Sequence, residues 1–207
     1  MASSVAQQKP AVGNPSFESP LLFATPVGWV DAVLADFDRF LLDHAAAEKK
    51  ASGMAISMLS HYPDRVELVE AMADLAIEEL SHYREVVKWI HQRGGRTGAD
   101  TKDAYVGRFR KSIRDGKDDY LLDRLLTAGI IEARGAERFA LIADALEDGP
   151  LHKFYRAIAR SEERHFELFL GLAECYFAKD VVARRWQELL EDEADIVRSL
   201  PLRAALH

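Results

Sequence analysis

Two short patterns of glutamate and histidine recur in this 207-residue sequence. Glu79 is followed three residues later by His82, and Glu162 is followed three residues later by His165. Residues i and i+3 lie on the same face of a helix, so each pair would project both side chains to one side. Carboxylate and imidazole groups bind divalent transition metals, so the chemistry that these pairs indicate is metal binding.

A further glutamate precedes each pair at a nearly constant distance. Glu48 stands 31 residues before Glu79, and Glu132 stands 30 residues before Glu162. Each of the four glutamates lies near the middle of a stripe of apolar or small residues at helical spacing, which predicts that it faces the core. The chain therefore contains two weakly similar helical hairpins, and pairing them about a pseudo-twofold axis would give two equivalent half-sites.

Four ionised carboxylates in an apolar core would repel one another, and each would be costly to desolvate. Two divalent cations supply four compensating positive charges, and a neutral imidazole completes each metal. One Glu from each of two helices and Glu-x-x-His from each of the other two is the ligand set of carboxylate-bridged dimetal bundles. The predicted ligands are Glu48, Glu79, His82, Glu132, Glu162 and His165. This oxygen-rich set favours two iron ions, with manganese second, and the absence of inward cysteines argues against structural zinc.

A single Glu-x-x-His on a helix is more often a surface pair than a metal site. Two copies on inward stripes, each preceded by a glutamate at a matched distance, favour the dimetal interpretation. The neighbouring acids Glu78 and Glu163 stand one position off the stripes, so they are predicted to face solvent or to contact the ligands from outside. Glu137 is interpreted as a surface partner of Arg134 or Arg138.

Small residues surround the predicted ligands, among them Ala47, Ala51, Gly129 and Gly135. They either allow the helices to pack closely or leave space beside the metals for dioxygen and substrate. The sequence leaves both interpretations open.

The elements that carry these residues are predicted to be long helices. Their composition is rich in Ala, Leu, Glu and Arg, with Gly and Pro confined to clusters. The predicted long helices run from Thr25-Pro26 to about 60, from Pro63 to Gly94-Gly95, from Asp118 or Asp119 to about 148, and from Pro150 to about 177. Thr25 is predicted to cap the first, and a short helix at about 105–113 and a fifth long helix at 180–198 complete the set.

The long connection between the second and third long helices is typical of ferritin-like bundles. The predicted fold is therefore all-α, a ferritin-like four-helix bundle with one long crossover and an additional C-terminal helix. Residues 1–25 are predicted to be a flexible tail, and residues 26–200 the bundle domain.

Charge and composition limit the cellular location and the classes of partner that are expected. The net charge of −7 argues against electrostatic binding of nucleic acid or anionic membrane by the surface as a whole, although it allows a local basic patch. No signal peptide or apolar run of about 20 residues is visible, so no membrane contact and a cytoplasmic location are expected. Cys175 is the single cysteine, which excludes an internal disulfide, and its helical neighbours predict a buried thiol.

Strings around the ligands resemble those of a known family. Glu-Lys-Lys-Ala at 48–51 and Glu-Ala-Arg-x-x-Glu-Arg-Phe at 132–139 resemble the bacterial tRNA hydroxylases of the ferritin-like superfamily, over about residues 20–200. These enzymes hydroxylate the prenyl group of 2-methylthio-N6-isopentenyl adenosine beside the anticodon. The resemblance implies a di-iron monooxygenase that uses dioxygen, and all six predicted ligands match the family's metal ligands.

Electrons would have to come from a separate donor, of the reductase or ferredoxin type, because no strand-linked Gly-x-Gly-x-x-Gly is visible. Two other functions stay open: iron storage or ferroxidase activity, and a dimanganese catalase-type activity. Molecular size would test the first, since a ferritin cage is a large assembly, and metal analysis with a peroxide assay would test the second.

The crossover carries a local excess of positive charge that suits a tRNA substrate. Residues 88–117 contain nine Lys or Arg and three Asp or Glu, a balance of +6, which leaves −13 for the remainder. Tyr105 and Phe109 interleave with these cations and are candidates for base stacking. The predicted RNA contacts are Lys102, Arg108, Arg110, Lys111 and Arg114. The alternative is a solvated loop with no ligand.

Overall fold

The computed structural model of the chain describes residues 18–207, and every regular element in that range is helical. The helices are α1 Gly28–Ala35, α2 Phe37–His61, α3 Val66–Gln92, α4 Ala104–Phe109, α5 Lys117–Ala145, α6 Pro150–Tyr176 and α7 Lys179–Ser199. A single 3-10 turn, Arg110–Ser112, follows α4. The predicted all-α class is confirmed. Residues 1–17 of the predicted tail lie outside the described residues, and the domain limits stay a prediction.

Four helices of 25 to 29 residues form the bundle as two hairpins. α2 packs along α3, α5 packs along α6, and α3 also contacts α6 across the bundle. The connection from α3 to α5 is the predicted long crossover and contains α4, whereas α7 packs against α5 and α6. Pro150 opens α6 as predicted, since a proline at the first helical position loses no internal hydrogen bond.

Each long helix contributes to two separate apolar cores. α3 buries Leu68 and Met72 in one core and Val86 and Ile90 in the other. α2, α5 and α6 divide their apolar faces between the same two cores. The polar stretch between the two apolar segments of each helix therefore meets its counterparts in the middle of the bundle.

The first predicted long helix is interrupted. Asp36 has φ −141° and ψ 61°, and its side chain accepts a hydrogen bond from the backbone N–H of Arg39 at 3.3 Å. The carboxylate caps α2 and so competes with the continuation of α1, as short polar side chains do at helix starts. The prediction of one continuous helix from residue 26 to residue 60 is wrong for this reason.

Thr25 does not cap α1. Its backbone N–H and its hydroxyl both donate to the carboxylate of Glu137, at 2.9 and 2.6 Å. The same hydroxyl accepts from Arg134 and Arg138, both of which are buried. The predicted pairing of Glu137 with Arg134 is present, but it lies in a buried network that ties residues 23–25 to α5.

Cys175 is exposed, so the prediction of a buried thiol is wrong. The apolar neighbours that suggested burial lie on other faces of α6. The helix presents Leu172 and Ala173 to the core, and Cys175 lies off that stripe.

Candidate metal centre

The structure brings the six predicted ligands together in the middle of the bundle, between the two apolar cores. They form two groups in which one ligand atom from each residue lies within 4.8 Å of the others. The groups are Glu48, Glu79, His82 and Glu162, and Glu79, Glu132, Glu162 and His165. Glu79 and Glu162 belong to both groups, which is the arrangement that bridging carboxylates require.

The cluster is almost inaccessible to solvent and its members are close. The four glutamates are 1–5% exposed. His165 Nδ1 lies 2.8 Å from Glu79 Oε1 and 3.9 Å from Glu132 Oε2. His82 Nδ1 lies 3.4 Å from Glu79 Oε2 and 3.7 Å from Glu48 Oε2. Each imidazole therefore turns its Nδ1 atom towards the carboxylates.

Unpaired polar atoms show that the cluster fits metal ions. Both carboxylate oxygens of Glu79 and the Nδ1 atoms of His82 and His165 are buried without a partner in hydrogen-bonding geometry among the described residues. Each such atom costs about 1–3 kcal/mol unless something binds it. Two ligands at right angles and about 2.1 Å from a metal lie about 3 Å apart, close to the shortest separations in the cluster. The donor set and its spacing fit two divalent ions.

The pKa values of the four carboxyl groups also indicate that the cluster needs compensating positive charge. Burial raises the pKa of three of them above the ordinary value, and repulsion from the charges of neighbouring carboxylates adds to the effect, although a hydrogen bond with Glu162 opposes it at Glu132. These three are Glu48, Glu132 and Glu162. Burial also opposes ionisation of Glu79, but His165 and His82 outweigh it and hold the pKa of that carboxyl well below its usual range.

The pKa values of the two histidines are raised. Burial opposes their protonation, but Glu48 and Glu79 outweigh it and raise the pKa of His82 to about 10. Glu79 and Glu132 likewise raise the pKa of His165 to about 9. The cluster therefore attracts positive charge strongly, and divalent cations satisfy that demand better than protons do.

Glu78 contacts both histidines from the outer side. Its carboxylate lies 3.3 Å from His165 Nε2 and 3.8 Å from His82 Nε2, and it accepts hydrogen bonds from Ser161 and Arg164. The sequence allowed this outer position for Glu78. A carboxylate that receives the second ring N–H fixes which nitrogen of a metal-binding histidine faces the ion.

His44 and Tyr155 support Glu48, and the sequence reasoning missed both. His44 Nε2 lies 2.5 Å from Glu48 Oε1, and its Nδ1 lies 3.3 Å from the Tyr155 hydroxyl. Burial lowers the pKa of His44 to about 3, so the ring is neutral and can donate to Glu48 while it accepts from Tyr155. The spacing of His44 and Glu48, one helical turn, was a signal that could have found the first contact.

The small residues serve both of the purposes that the sequence left open. A Cβ atom on Gly129 would lie 3.3 Å from Phe169 Cβ, so this glycine lets α5 and α6 approach. A Cβ atom on Gly135 would lie 3.2 Å from Glu162 Oε2, so this glycine leaves room for the carboxylate. Ala47 and Ala51 line a cavity beside the cluster.

This cavity, which we call the central cavity, has a volume of about 470 Å³ and lies between α2, α4 and α5. Its inner wall includes all four cluster carboxylates, and exposed residues such as Lys50, Arg110 and Tyr120 lie at its outer end. Most other lining residues are apolar or small: Ala47, Ala51, Met54, Val106, Ile113, Ala128, Ile131, Gly135, Phe139 and Leu206. It can therefore hold an apolar group against the cluster while a polar portion of the ligand stays outside.

The predicted RNA contacts have different surroundings. Lys102, Arg110 and Lys111 are exposed, and Arg110 lines the central cavity. Arg108 donates to Ser199, and Arg114 is engaged by ion pairs with Asp119 and Asp123. The RNA-contact role of all five stays a prediction.

Tyr105 and Phe109 are fully buried, so the prediction that they are available for stacking is wrong. They anchor α4 to the bundle, because a short crossover helix must bury one face to be ordered. Tyr120, at the outer end of the cavity, is 37% exposed, and the guanidinium of Arg124 lies 5.6 Å from the centre of its ring.

The chain is similar to known proteins over most of its length. A family model described as tRNA-(MS[2]IO[6]A)-hydroxylase (MiaE) matches residues 15–207. The tRNA 2-(methylsulfanyl)-N(6)-isopentenyladenosine(37) hydroxylase of Pseudomonas putida is 32% identical over 185 residues, which is 89% of this chain and 90% of that protein. The enzyme of the same name from Salmonella typhimurium is 33% identical over 157 residues, 76% of this chain and 57% of that protein.

A solved structure is also similar. Protein 43 with aldehyde deformylating oxygenase activity from Synechococcus superposes with a TM-score of 0.86 at 33% identity, covering 90% of this chain and 94% of that one. Over residues 18–207, no helix combines the length and the apolar character that crossing a membrane requires.

Proposed function

The chain belongs to the MiaE family of tRNA hydroxylases, and from this we propose that it hydroxylates the isopentenyl group of 2-methylthio-N6-isopentenyl adenosine beside the anticodon, at a di-iron centre in the middle of the bundle. Family membership confirms the resemblance drawn from the sequence and the prediction of a tRNA-modifying oxygenase. The metal, its ligands, dioxygen and the electron donor are the parts that the proposal adds.

The observation that carries the proposal is the central cavity. It joins an exposed, cationic outer end to a buried wall of four carboxylates through an apolar interior. A prenyl group is apolar and small enough for such a space, whereas the nucleotide to which it is attached is polar and anionic. The cavity therefore matches the two halves of a prenylated nucleoside.

We propose that the cluster would hold two iron ions, one beside Glu48 and His82 and one beside Glu132 and His165, with Glu79 and Glu162, which belong to both groups, available to both. When bound, such a pair supplies the activation of dioxygen that hydroxylation of an allylic carbon requires. The overall reaction consumes dioxygen, two electrons and two protons, and it yields the alcohol and water. The electrons come from an external donor of the reductase or ferredoxin type.

The chain's own residues bind the substrate and orient it. The apolar walls, including Met54, Ile131 and Phe139, exclude water and hold the prenyl methyl groups near the cluster. Glu78 and His44 keep the ligand side chains in place from outside. Lys50 and Arg110 lie where phosphate groups of the anticodon loop would pass, and Tyr120 can stack on a base that is turned out of the loop.

The test supplies iron-loaded protein, a chemical reductant and dioxygen to tRNA that carries the prenylated adenosine. Nuclease digestion and mass spectrometry should then show that the modified nucleoside gains the mass of one oxygen atom. The Glu132→Ala variant is the matched control and should leave the nucleoside unchanged. Iron-loaded wild-type protein that is reduced and yet leaves the nucleoside unchanged would overturn the proposal.

A second candidate activity is the deformylation of an aldehyde, because the structural neighbour from Synechococcus has this activity and the lining is largely apolar. The cationic outer end favours the tRNA instead, since an aliphatic aldehyde gives Arg110 and Lys50 nothing to bind. The same reaction mixture with a long-chain aldehyde in place of tRNA separates the two. Release of the shortened hydrocarbon at a rate comparable to tRNA hydroxylation would favour the second candidate.

A further inference from the structure

Two unpaired polar atoms outside the carboxylate cluster belong to residues that line the same cavity. Among the described residues, seven buried side-chain nitrogen or oxygen atoms have no hydrogen-bond partner, and five of them belong to Glu79, His82 and His165. The other two are Thr127 Oγ1 and His207 Nε2, and both residues line the central cavity. A buried polar atom without a partner is costly, so its position on a ligand cavity indicates that the ligand is its partner.

His207 is held firmly on this wall. Its side chain is 6% exposed, and its Nδ1 lies 3.2 Å from Asp103 Oδ2. The ring stacks on Tyr105 with 4.8 Å between centroids and 11° between planes, and Tyr105 is itself tied to Glu193 at 3.1 Å. Asp103 also caps α4, because it accepts from the backbone N–H of Val106 at 3.0 Å.

The backbone around His207 is also fixed. The N–H of Leu206 donates to Asp43 Oδ2 at 2.7 Å, and the carbonyl of Ala205 accepts from Trp29 Nε1 at 3.1 Å. The carbonyl of Leu206 accepts from Arg138. The imidazole is therefore positioned by contacts that leave its buried Nε2 atom unused by the fold, in a residue that lines the cavity.

The contact with Asp103 determines what Nε2 can do. A carboxylate can only accept, so the neutral tautomer that pairs with Asp103 carries its proton on Nδ1 and presents a lone pair at Nε2. We propose that His207 binds the substrate base by accepting a hydrogen bond from an N–H group adjacent to the apolar substituent. In an N6-alkylated adenine, the single N6–H is such a group, since it lies on the atom that carries the alkyl chain.

This inference rests on the proposed function and adds a determinant of specificity to it. His207 would distinguish a base that is linked to its alkyl group through N–H from one that is linked through an atom without hydrogen. Sites that hydrogen-bond a substrate N–H reject analogues that lack it, because the buried acceptor is then left unpaired. Thr127, a lining residue from α5, has a buried hydroxyl without a partner and offers a second polar contact to the same ligand.

The test uses two anticodon stem-loop oligonucleotides and a matched pair of variants. One oligonucleotide carries the N6-prenyl adenosine, and the other has an ether oxygen in place of the N6–H. In His207→Asn the amide nitrogen replaces Nδ1 and keeps the contact with Asp103, whereas the acceptor at Nε2 is lost. In His207→Gln the amide group reaches the position of Nε2 and can still offer an oxygen.

Wild-type protein should bind the N6–H oligonucleotide about tenfold more tightly than the ether analogue, the effect of about one hydrogen bond to a buried acceptor. His207→Asn should lose this preference with an unchanged melting temperature, and His207→Gln should restore part of it. Binding is measured by fluorescence anisotropy on metal-free protein, and KM and kcat are measured on iron-loaded protein. KM for the N6–H oligonucleotide should rise in His207→Asn while kcat changes little.

Equal binding of the two oligonucleotides by wild-type protein, or a preference that His207→Asn retains, would overturn the role of His207. The proposed function would survive that result if the wild type still hydroxylates the prenylated oligonucleotide. Wild-type protein that neither binds nor hydroxylates it would instead overturn the proposed function, and this inference with it.

Discussion

At the scale of one residue, Glu162 shows what the burial of several carboxyl groups costs the folded chain. It is buried, lies beside Glu132 and Gly135, and has a pKa well above its ordinary value of 4.5 because burial and the other carboxylates disfavour its charge. A carboxyl whose pKa is raised by folding stabilises the folded chain below pH 4.5, and this stability is lost as the pH rises through the raised value.

Glu162→Gln should therefore stabilise the metal-free protein at neutral and alkaline pH, by about 1–2 kcal/mol, because the amide keeps the shape and removes the buried charge. The gain should be larger at about pH 8 than at about pH 5, because the wild-type carboxyl loses its proton as the pH rises through its raised pKa. Thermal unfolding in the presence of a chelator, at each of the two pH values, measures the difference in stability between the variant and the wild type. Glu167→Gln, an exposed position on the same helix, is the control and should change neither value. A variant that is less stable than wild type at both pH values would contradict this account.

The same residues predict the metal content. Glu132→Ala and His165→Ala each remove a terminal ligand of the same proposed ion, so both variants should lose the stoichiometric binding of two irons per chain. Metal analysis after reconstitution measures this, and Glu167→Ala should keep the wild-type content. Two irons per chain in both ligand variants would mean that the ligands are assigned wrongly.

That the six predicted ligands would lie close together could be predicted from the sequence, because each pattern lies within one helix, where spacing alone fixes the common face. Their role as ligands stays a prediction. Glu78, His44 and Tyr155 depend on how neighbouring helices are rotated, which spacing does not reveal. The same limit explains the errors at Tyr105 and Phe109. Their place between cations suggested exposure, yet α4 is amphipathic and turns them into the core.

At the scale of the elements, the crossover is fastened by one buried carboxylate. Asp123 on α5 is fully buried and accepts from Arg114 of the crossover at 2.8 Å and from Arg185 of α7 at 2.8 Å. Its burial opposes ionisation, but the two guanidinium groups outweigh this and lower the pKa of the carboxyl. The segment that forms one side of the central cavity is thus tied to both helices at this point.

Asp123→Ala should lower the free energy of unfolding by about 2–4 kcal/mol, because it removes the buried carboxylate partner of the mostly buried Arg185, which keeps only the exposed Glu188 and a backbone carbonyl. The lower end allows for the partial exposure of Arg114, whose contribution solvent screens. Denaturant unfolding measures the change. Asp119→Ala removes the exposed carboxylate partner of Arg114 and should lower the free energy of unfolding by less than about 1 kcal/mol. Similar losses in the two variants would show that Asp123 does not fasten the crossover.

The extent of the long helices followed from periodicity and from the Gly and Pro positions, and the structure agrees closely. Gly94 adopts φ +80° just beyond α3, where the predicted helix end required a residue without a side chain. The break at Asp36 was missed, since a helical stripe continues through it and the cap depends on a single side chain. The packing of residues 200–207 against Trp29 and Asp43 was also not foreseen, because contacts between distant segments leave no periodic signal.

At the scale of the whole molecule, charge is divided unevenly. The segment 88–117 carries +6, while the remainder carries −13, and Arg110 of this segment lies at the outer end of the central cavity. An anionic partner is therefore repelled by most of the surface and attracted to one region, which orients a tRNA before any specific contact forms. Neither Arg110 nor Lys111 has an ion-pair partner among residues 18–207, so both charges can be offered to phosphate groups.

Arg110→Glu combined with Lys111→Glu should consequently weaken tRNA binding and flatten its dependence on salt. Each lost contact with a single-stranded phosphate lowers the slope of log K against log salt by about 0.7, so two contacts lower it by about 1.4. The control is Lys179→Glu with Arg184→Glu, which makes the same change of charge on α7, away from the central cavity. Titrations at several salt concentrations should show a smaller loss of affinity and a steeper slope in the control than in the crossover variant. If both double variants bind with the same affinity and slope, the response reports only net charge, and the crossover is not the tRNA-binding surface.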